Sequence, residues 1–271
     1  MNQPELVPWQ YIFGRGLTIF IVLNLYLFFE EGIAFYKNYM KIGISGLIGG
    51  IGLGIAMISF IYSITNTSAA ITLLCLAIMP FFTALLGFLF LRERISLNVW
   101  IAIILATIGI IIIAIGNTGK ASLLGFVFGM TSSIGFSIFS VTLRWRKETP
   151  KFTTVALSGL FCFVIASIFI LSKDQVFFST SYNGTLFSLH GVLVCFGLIL
   201  YSIGSKAIPA AELTLLSLTE VIGGIFWVWL PLFGINEVPS TNTIIGGFFL
   251  FISITYYSLV IRTNRRFIAL N

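Results

Sequence analysis

The stretch LNVWIAIILATIGIIIIAIG, Leu97 to Gly116, runs for twenty residues without a charged side chain. At about 1.5 Å of rise per residue, a helix of this length reaches about 30 Å, the thickness of a bilayer's hydrocarbon core. The run does not alternate between apolar and polar residues, and it is several times longer than an ordinary strand, so it reads as a membrane span. Eight further runs read the same way, and the nine cover residues 9–29, 43–63, 68–91, 97–116, 123–142, 153–172, 186–203, 208–233 and 243–261. The connections between them are short and rich in Asn, Thr, Ser, Lys and Pro. The longest later one, 173–185, is too small to fold as a domain. The expected fold is an all-α transmembrane bundle.

Composition agrees. Hydrophobic residues make up 58% of the 271 residues and charged residues 9%, against about 25% charged in soluble domains. A soluble fold this apolar would expose large greasy patches, an objection that lipid removes. The net charge of +6 does not indicate nucleic acid, because the basic residues sit singly or in small groups between apolar runs and build no basic, aromatic-interleaved surface. Cys75, Cys162 and Cys195 lie inside spans, without CxxC or metal spacing, so no metal site, cofactor or disulfide framework is expected. The N-terminus has no basic region of the signal-peptide kind and leads straight into a span.

Counting charges by crossing gives an orientation. One side receives twelve basic residues: Lys37, Lys41, Arg92, Arg94, Arg144, Arg146, Lys147, Lys151, Lys206, Arg262, Arg265 and Arg266. The other receives Lys120 and Lys173, while Arg15 falls within the first span. Basic residues mark the cytoplasmic side, so the C-terminus is expected inside and the N-terminus outside.

The chain also resembles itself. Ser68-Ala69-Ala70-Ile71-Thr72-Leu73-Leu74 opens one span, and Pro209-Ala210-Ala211-Glu212-Leu213-Thr214-Leu215 opens another, 141 residues later. Glu93 and Ser96 in the first copy answer to Glu237 and Ser240 in the second, at an offset of 144. The charge count puts Glu93 inside and Glu237 outside, so the copies run in opposite directions. Inverted repeats are a mark of secondary transporters. Chance similarity between two apolar helices is the other reading of these matches.

These residues are similar to the EamA-type permeases of the drug/metabolite transporter superfamily. The second-repeat signature is carried by Ile208-Pro209-Ala210-Ala211-Glu212, Leu216-Ser217-Leu218-Thr219-Glu220, Trp227-Val228-Trp229-Leu230, Glu237-Val238-Pro239-Ser240 and Ile245-Gly246-Gly247; the first-repeat counterpart by Thr67-Ser68-Ala69-Ala70, Pro80, Glu93 and Ile95-Ser96. The resemblance implies two five-helix repeats in inverted orientation. It covers essentially the whole chain, with residues 1–120 as a four-span first repeat and 121–271 as a five-span second repeat. Two departures stand out. Val221 occupies the place of the family's usual proline after the mid-helix glutamate. The first of ten helices has no counterpart, which leaves one wall of the family's cavity open.

Ionisable groups inside a membrane are costly and are functional candidates by default. Glu220 lies near the middle of its span, where it suits proton coupling or recognition of a cationic group; a protonated glutamate hydrogen-bonded between helices is the structural alternative. Glu212 is shallower and suits a cap as well as a substrate contact. Arg15, near the outer surface, can snorkel toward it, and His190 is expected at the outer interface. Ser132, Ser133, Tyr201, Thr72 and Trp227 are candidate cavity groups, and Pro80 is expected to kink its span. Gly46, Gly50 and Gly54 recur every four residues, as do Gly125, Gly129, Ser133 and Ser137. Small residues at this spacing let helix backbones approach, either for static packing or for sliding contacts.

The expected function is a secondary transporter that moves a small organic metabolite, such as an amino acid or related compound, outward across a bacterial inner membrane. A non-transporting membrane subunit or a truncated remnant is the alternative. No GxxxxGK[ST] is present for direct ATP drive. With one His, one Asp and no catalytic motif, an enzyme lacks its parts. The expected partners are a small molecule and the bilayer, with a homodimer left open and nucleic acid excluded.

Overall fold

The computed structural model describes residues 8–67, 69–93, 95–115, 122–146, 148–220, 222–223 and 240–269. Its elements are helices: α1 (Pro8–Glu31), α2 (Tyr36–Lys41), α3 (Gly43–Asn66), α4 (Ala69–Ala77), α5 (Met79–Leu86), α6 (Leu97–Ile115), α7 (Leu123–Trp145), α8 (Lys151–Ser172), α9 (Ser181–Gly204), α10 (Ala210–Ser217) and α11 (Thr241–Ala269). An apolar medium offers no partner for free N–H or C=O groups, which makes the helix the element these runs must adopt.

Helix ends follow local chemistry. Ser122 Oγ accepts from Gly125 N at 3.4 Å and starts α7. Thr180 Oγ1 accepts from Asn183 N at 3.2 Å and starts α9. That cap sets the start of α9 at Ser181, five residues before the apolar run becomes obvious at 186. Gly43 has φ of 58° at the entry to α3, a turn that a side chain would strain. The segment after α1 is also more regular than its polar sequence suggests. Gly32, at φ of 61°, ends α1, and a 3-10 turn at Gly32–Phe35 leads into α2, which folds back so that Tyr39 Oη donates to Asn24 Oδ1 at 2.9 Å.

Two apolar cores hold the bundle. One gathers Ile12, Ile19, Leu53, Phe139, Val155 and Cys162 where α1, α3, α7, α8 and α9 meet. The other gathers Ala77, Ala84, Val99, Ile103, Leu215 and Leu250 around α4, α5, α6, α10 and α11.

Glycines set the closest approaches. A methyl at Gly16 would lie 2.9 Å from Phe163 N, and one at Gly159 would lie 2.9 Å from Phe20 N, where α1 crosses α8. At the α6–α11 crossing, a methyl at Gly109 would lie 2.6 Å from the Gly246 carbonyl oxygen. On the same pair of helices, Ser253 Oγ donates to the Ala102 carbonyl at 2.6 Å. Adding 144 to 109 and to 102 gives 253 and 246, so the two α6–α11 contacts exchange under the offset read from Glu93 and Glu237. The α1–α8 contact maps onto itself under an offset of 143. These are the relations a two-fold axis between repeats produces.

The two-fold relation fails at one place. α3 packs along α7: Ser45 Oγ donates to the Thr142 carbonyl at 2.7 Å, Ser132 Oγ to the Ala56 carbonyl at 2.9 Å and Ser63 Oγ to the Gly125 carbonyl at 2.8 Å. α9 is the counterpart of α3, and Tyr62-Ser63-Ile64 recurs in it as Tyr201-Ser202-Ile203. Its outer face carries exposed Leu193, Phe196 and Leu200, and a methyl at Gly197 would meet nothing within 4 Å. Ser202 Oγ is buried without a hydrogen-bond partner, whereas its counterpart Ser63 has two. Among the described elements, no helix stands to α9 as α7 stands to α3.

Candidate functional site

Two helices break in mid-course, at matching positions. In the first, Pro80 brings no N–H, and its ring crowds the carbonyl four residues back. The ladder tightens there to a 3-10 bond from Ile78 N to Cys75 O at 3.2 Å, which separates α4 from α5. In the second, Leu218 N bonds to Leu215 O at 3.2 Å, 140 residues later, and α10 ends. No proline stands near this second break. Instead Thr214, Ser217 and Thr219 hydroxyls donate back to carbonyls of their own helix, at Ala210 (3.2 Å), Thr214 (2.7 Å) and Leu216 (2.9 Å). Such back-bonding competes with the helical ladder.

The breaks differ in what supports them. α7 stitches the first: Ser133 Oγ donates to the Cys75 carbonyl, and Ser137 Oγ, whose proton is shared with the Ser133 carbonyl at 2.7 Å, lies 3.2 Å from the Met79 carbonyl. At the second, the side-chain bonds to the backbone among the described residues come from its own hydroxyls.

The candidate residues fall around this framework in separate groups. Ser133 and Thr72 share the α4–α7 seam, with Thr72 Oγ1 bonded to Ser63 Oγ at 2.8 Å. Their polar atoms are engaged within the bundle. Gly125 and Gly129 lie on the same seam: methyl groups there would come within 2.6 Å of Thr67 Cβ and 2.7 Å of Cys75 Sγ. Gly46, Gly50 and Gly54 instead turn toward α8, against Thr154, Leu157 and Phe161. Tyr201 lies on α9, its hydroxyl bonded to Ser140 Oγ at 2.7 Å and its ring against Phe136 and Phe139. Glu212, in the first turn of α10, accepts from the Tyr257 hydroxyl on α11. Glu220 lies two residues beyond the second break with its side chain exposed. Trp227 lies outside the described residues.

Arg15 does not reach the surface. It is 4% exposed and donates from Nη2 to the Met57 carbonyl at 2.8 Å, with its guanidinium over the Tyr11 ring. The aromatic face and the backbone carbonyl hold the charge inside, because α3 and α8 close over it where snorkelling was expected. His190 bonds to the Tyr11 hydroxyl at this end of the bundle.

Sequence reasoning treated Arg144 only as a topology marker. In the structure its Nε donates to Glu93 Oε1 at 2.7 Å, and its Nη1 donates to the carbonyls of Ile208 at 2.8 Å and Ser205 at 3.2 Å. A cavity of about 190 Å³ lies beside it, between Glu93 and Val99 on one side and Pro209, Ala211 and Glu212 on the other. The repeat motifs contain Glu93, Pro209, Ala211 and Glu212, but no sequence signal brings Arg144 to them, because it lies on a separate helix. Among the described residues, no cluster of His, Cys, Asp and Glu has metal-binding geometry.

Comparison with known proteins agrees with this architecture. Residues 2–115 match the EamA-like transporter family. Two Helicobacter pylori strains each have a protein named a transporter that is 26% identical over 176 residues, which is 64% of this chain and 58% of the relative. The match therefore spans little more than half of those relatives. The pseudopaline exporter CntI of Pseudomonas aeruginosa is 24% identical over 204 residues, 74% of this chain and 70% of that protein. A solved crystal structure shares the fold with a TM-score of 0.77 at 15% identity, over 96% of this chain and 90% of the other.

Proposed function

We propose that this chain, which carries an EamA-like transporter domain of the drug/metabolite transporter superfamily, is a secondary transporter that exports a small organic metabolite, such as an amino acid or related compound. The observation that carries the reading is the pair of broken helices at matching positions. Discontinuous helices present unwound backbone near the midplane, where inverted-repeat transporters hold solute and coupling ion. Glu220 follows the second break. It lies ten residues beyond Ala210, a depth of about 15 Å at the rise of a helix and so near the bilayer centre. Kinship with a protein named an exporter supports the outward direction.

In this reading residues 1–120 and 121–271 are the inverted repeats, and the arginine-rich end is cytoplasmic. Glu220 takes a proton or the cationic group of the solute. Glu212 and Tyr201 lie toward the cytoplasmic end of the path, and Thr72 and Ser133 belong to the α4–α7 wall.

The test is transport by Glu220→Gln in proteoliposomes at two pH values, with a panel of labelled amino acids as probes. The amide keeps the shape and removes the titration. Transport is expected to fall about tenfold or more, the effect of losing a charged hydrogen-bonding group, and to lose its pH dependence, while yield and folding persist. Full activity with an unchanged pH response would end the assignment of Glu220.

A second reading, a non-transporting membrane subunit, is favoured by the open face of α9. A further apolar helix seated there would complete the wall that α7 supplies on the other side. Transport by the chain reconstituted alone excludes this second reading.

A further inference from the structure

We propose that Arg144 is a latch. It ties the two broken helices together at the arginine-rich end, and the buried Ala211 wall of the partly open cavity beside it becomes accessible from that end only when the Arg144–Glu93 pair parts. The inference rests on the transporter reading, since a latch has a purpose only if this end of the bundle opens.

The latch is built from both broken helices. Glu93 closes the first. The α5 segment runs into a π turn at Gly87–Leu91, Arg92 takes φ of 55°, and Glu93 N returns to the Gly87 carbonyl at 3.2 Å. The left-handed residue stops the helix and aims the next side chain back across the bundle. Ser205 and Ile208 belong to the turn that leads into α10, the first half of the second broken helix. Pro209 follows Ile208, lacks an N–H and leads the chain into α10. Arg144, at the last turn of α7, reaches acceptors on both sides at once, as its planar fork of donors allows and a lysine ammonium does not. Bonds of this kind, with one or both partners charged, are the stronger class.

A second cation reinforces one side only. Lys151 Nζ donates to Ser205 Oγ at 2.8 Å, and Ser205 Oγ donates to the Ser202 carbonyl at 2.8 Å. The turn before α10 is therefore held by α7 and α8 together, while the end of α5 is held to it through Glu93. That makes the Arg144–Glu93 bond the separable link. It is the only ion pair among the described residues, and both side chains are about three-quarters covered, with exposures of 25% and 22%. Toward the opposite end no ion pair is present among the described residues: Gln10 Nε2 donates to the Val176 carbonyl, Ser179 Oγ donates to Gln10 Oε1, and the Arg15 guanidinium donates to the Met57 carbonyl. Ala211 lines the cavity and is 4% exposed, so it reports on passage beyond the latch.

The experiment adds a thiol at Ala211→Cys and measures, by a membrane-impermeant maleimide in inside-out vesicles, the labelling it adds to that of the parent chain, whose Cys75, Cys162 and Cys195 are buried. A control thiol at Lys206→Cys, exposed at the same end, marks that side as reachable. Labelling of Ala211→Cys is expected to be slow with Arg144 intact and to rise about tenfold with Arg144→Gln, the population shift that follows loss of one charge-assisted bond. Glu93→Gln is expected to raise it as well, and it leaves Arg144 bonded to the two carbonyls, so a folded protein is available if Arg144→Gln fails to fold. Arg144→Lys should fall between. Unchanged labelling in a folded Glu93→Gln or Arg144→Gln protein overturns the latch, whatever the protein transports. Faster labelling without transport of any probe leaves the latch standing as a closure and removes the transporter reading.

Discussion

Ser133 shows how a residue can be visible in a sequence and still be misread there. Its four-residue spacing from Gly129 and Ser137 marks a small-residue face, and its hydroxyl invites a place in a cavity. The structure gives that hydroxyl to the Cys75 carbonyl, which also accepts from Ile78 N at the break before Pro80. Nothing within a few residues of Ser133 announces this bond, because its partner lies 58 positions away. Ser133→Ala should therefore cost about 0.5–1.5 kcal/mol of stability, the ordinary value of a hydrogen bond whose carbonyl keeps another donor. It should lower the melting temperature in detergent; an unchanged melting curve would show that the break supports itself. Glu220 is the converse case. Its depth follows from counting residues along the span, whereas its exposed side chain depends on which neighbours surround the break. Arg15 was misplaced for a similar reason: its position near a helix end suggested water, and only the packing of α3 and α8 over it reveals burial.

At the scale of helices, existence and extent were largely legible and partnership was not. Hydropathy is a one-dimensional signal, and a lipid solvent makes it strong, so the runs around 43–63, 97–116 and 153–172 lie within α3, α6 and α8 to within a residue or a few. The exceptions arise where polar residues are helical for local reasons, as at the Thr180 cap and in α2. The glycine row of α3 could be read from spacing alone, but its neighbour could not. Gly50 abuts α8, where a methyl would lie 3.0 Å from the Thr154 carbonyl oxygen, a backbone atom that cannot swing aside. Gly50→Leu is expected to separate α3 from α8 and cut the yield of folded, monodisperse protein, an overpacking effect of about 1–3 kcal/mol or more. Gly197→Leu on the open face of α9 should be nearly neutral by the same assay. If Gly50→Leu behaves like the parent, the row is not a packing row; if Gly197→Leu is the harmful one, another helix already covers α9.

At the scale of the whole molecule, the charge split and the structure sort the connections the same way. Arg144, Glu93, Ser205 and Lys151 meet at one end, and Gln10, Val176 and Ser179 meet at the other. Twelve basic residues against two then predict the side on which each end lies. A reporter fused after Arg266 should read cytoplasmic, and one inserted between Asp174 and Asn183 should read external. Both on one side would refute the crossing count. The likeness between the α4 and α10 segments lies in their sequences, whereas the bareness of α9 depends on what packs against it and leaves no mark in those motifs.

Backbone meets backbone at three glycine crossings, Gly16 with Gly159, Gly109 with Gly246 and Gly52 with Gly135. In mechanical terms these are bearings. Contact of this kind leaves little soft material to compress along the line joining the helices, and what resists turning is the flanking side chains, such as Cys162 beside Gly16 and Ile113 beside Gly246. Any displacement must then grow with distance from the crossing. A helix end about 15 Å away, ten residues along, sweeps roughly 2.6 Å for each 10° of turn, while the residues at the bearing barely move. The glycines then move least and the helix ends most, and Arg144 sits at such an end, on α7 beyond Gly135.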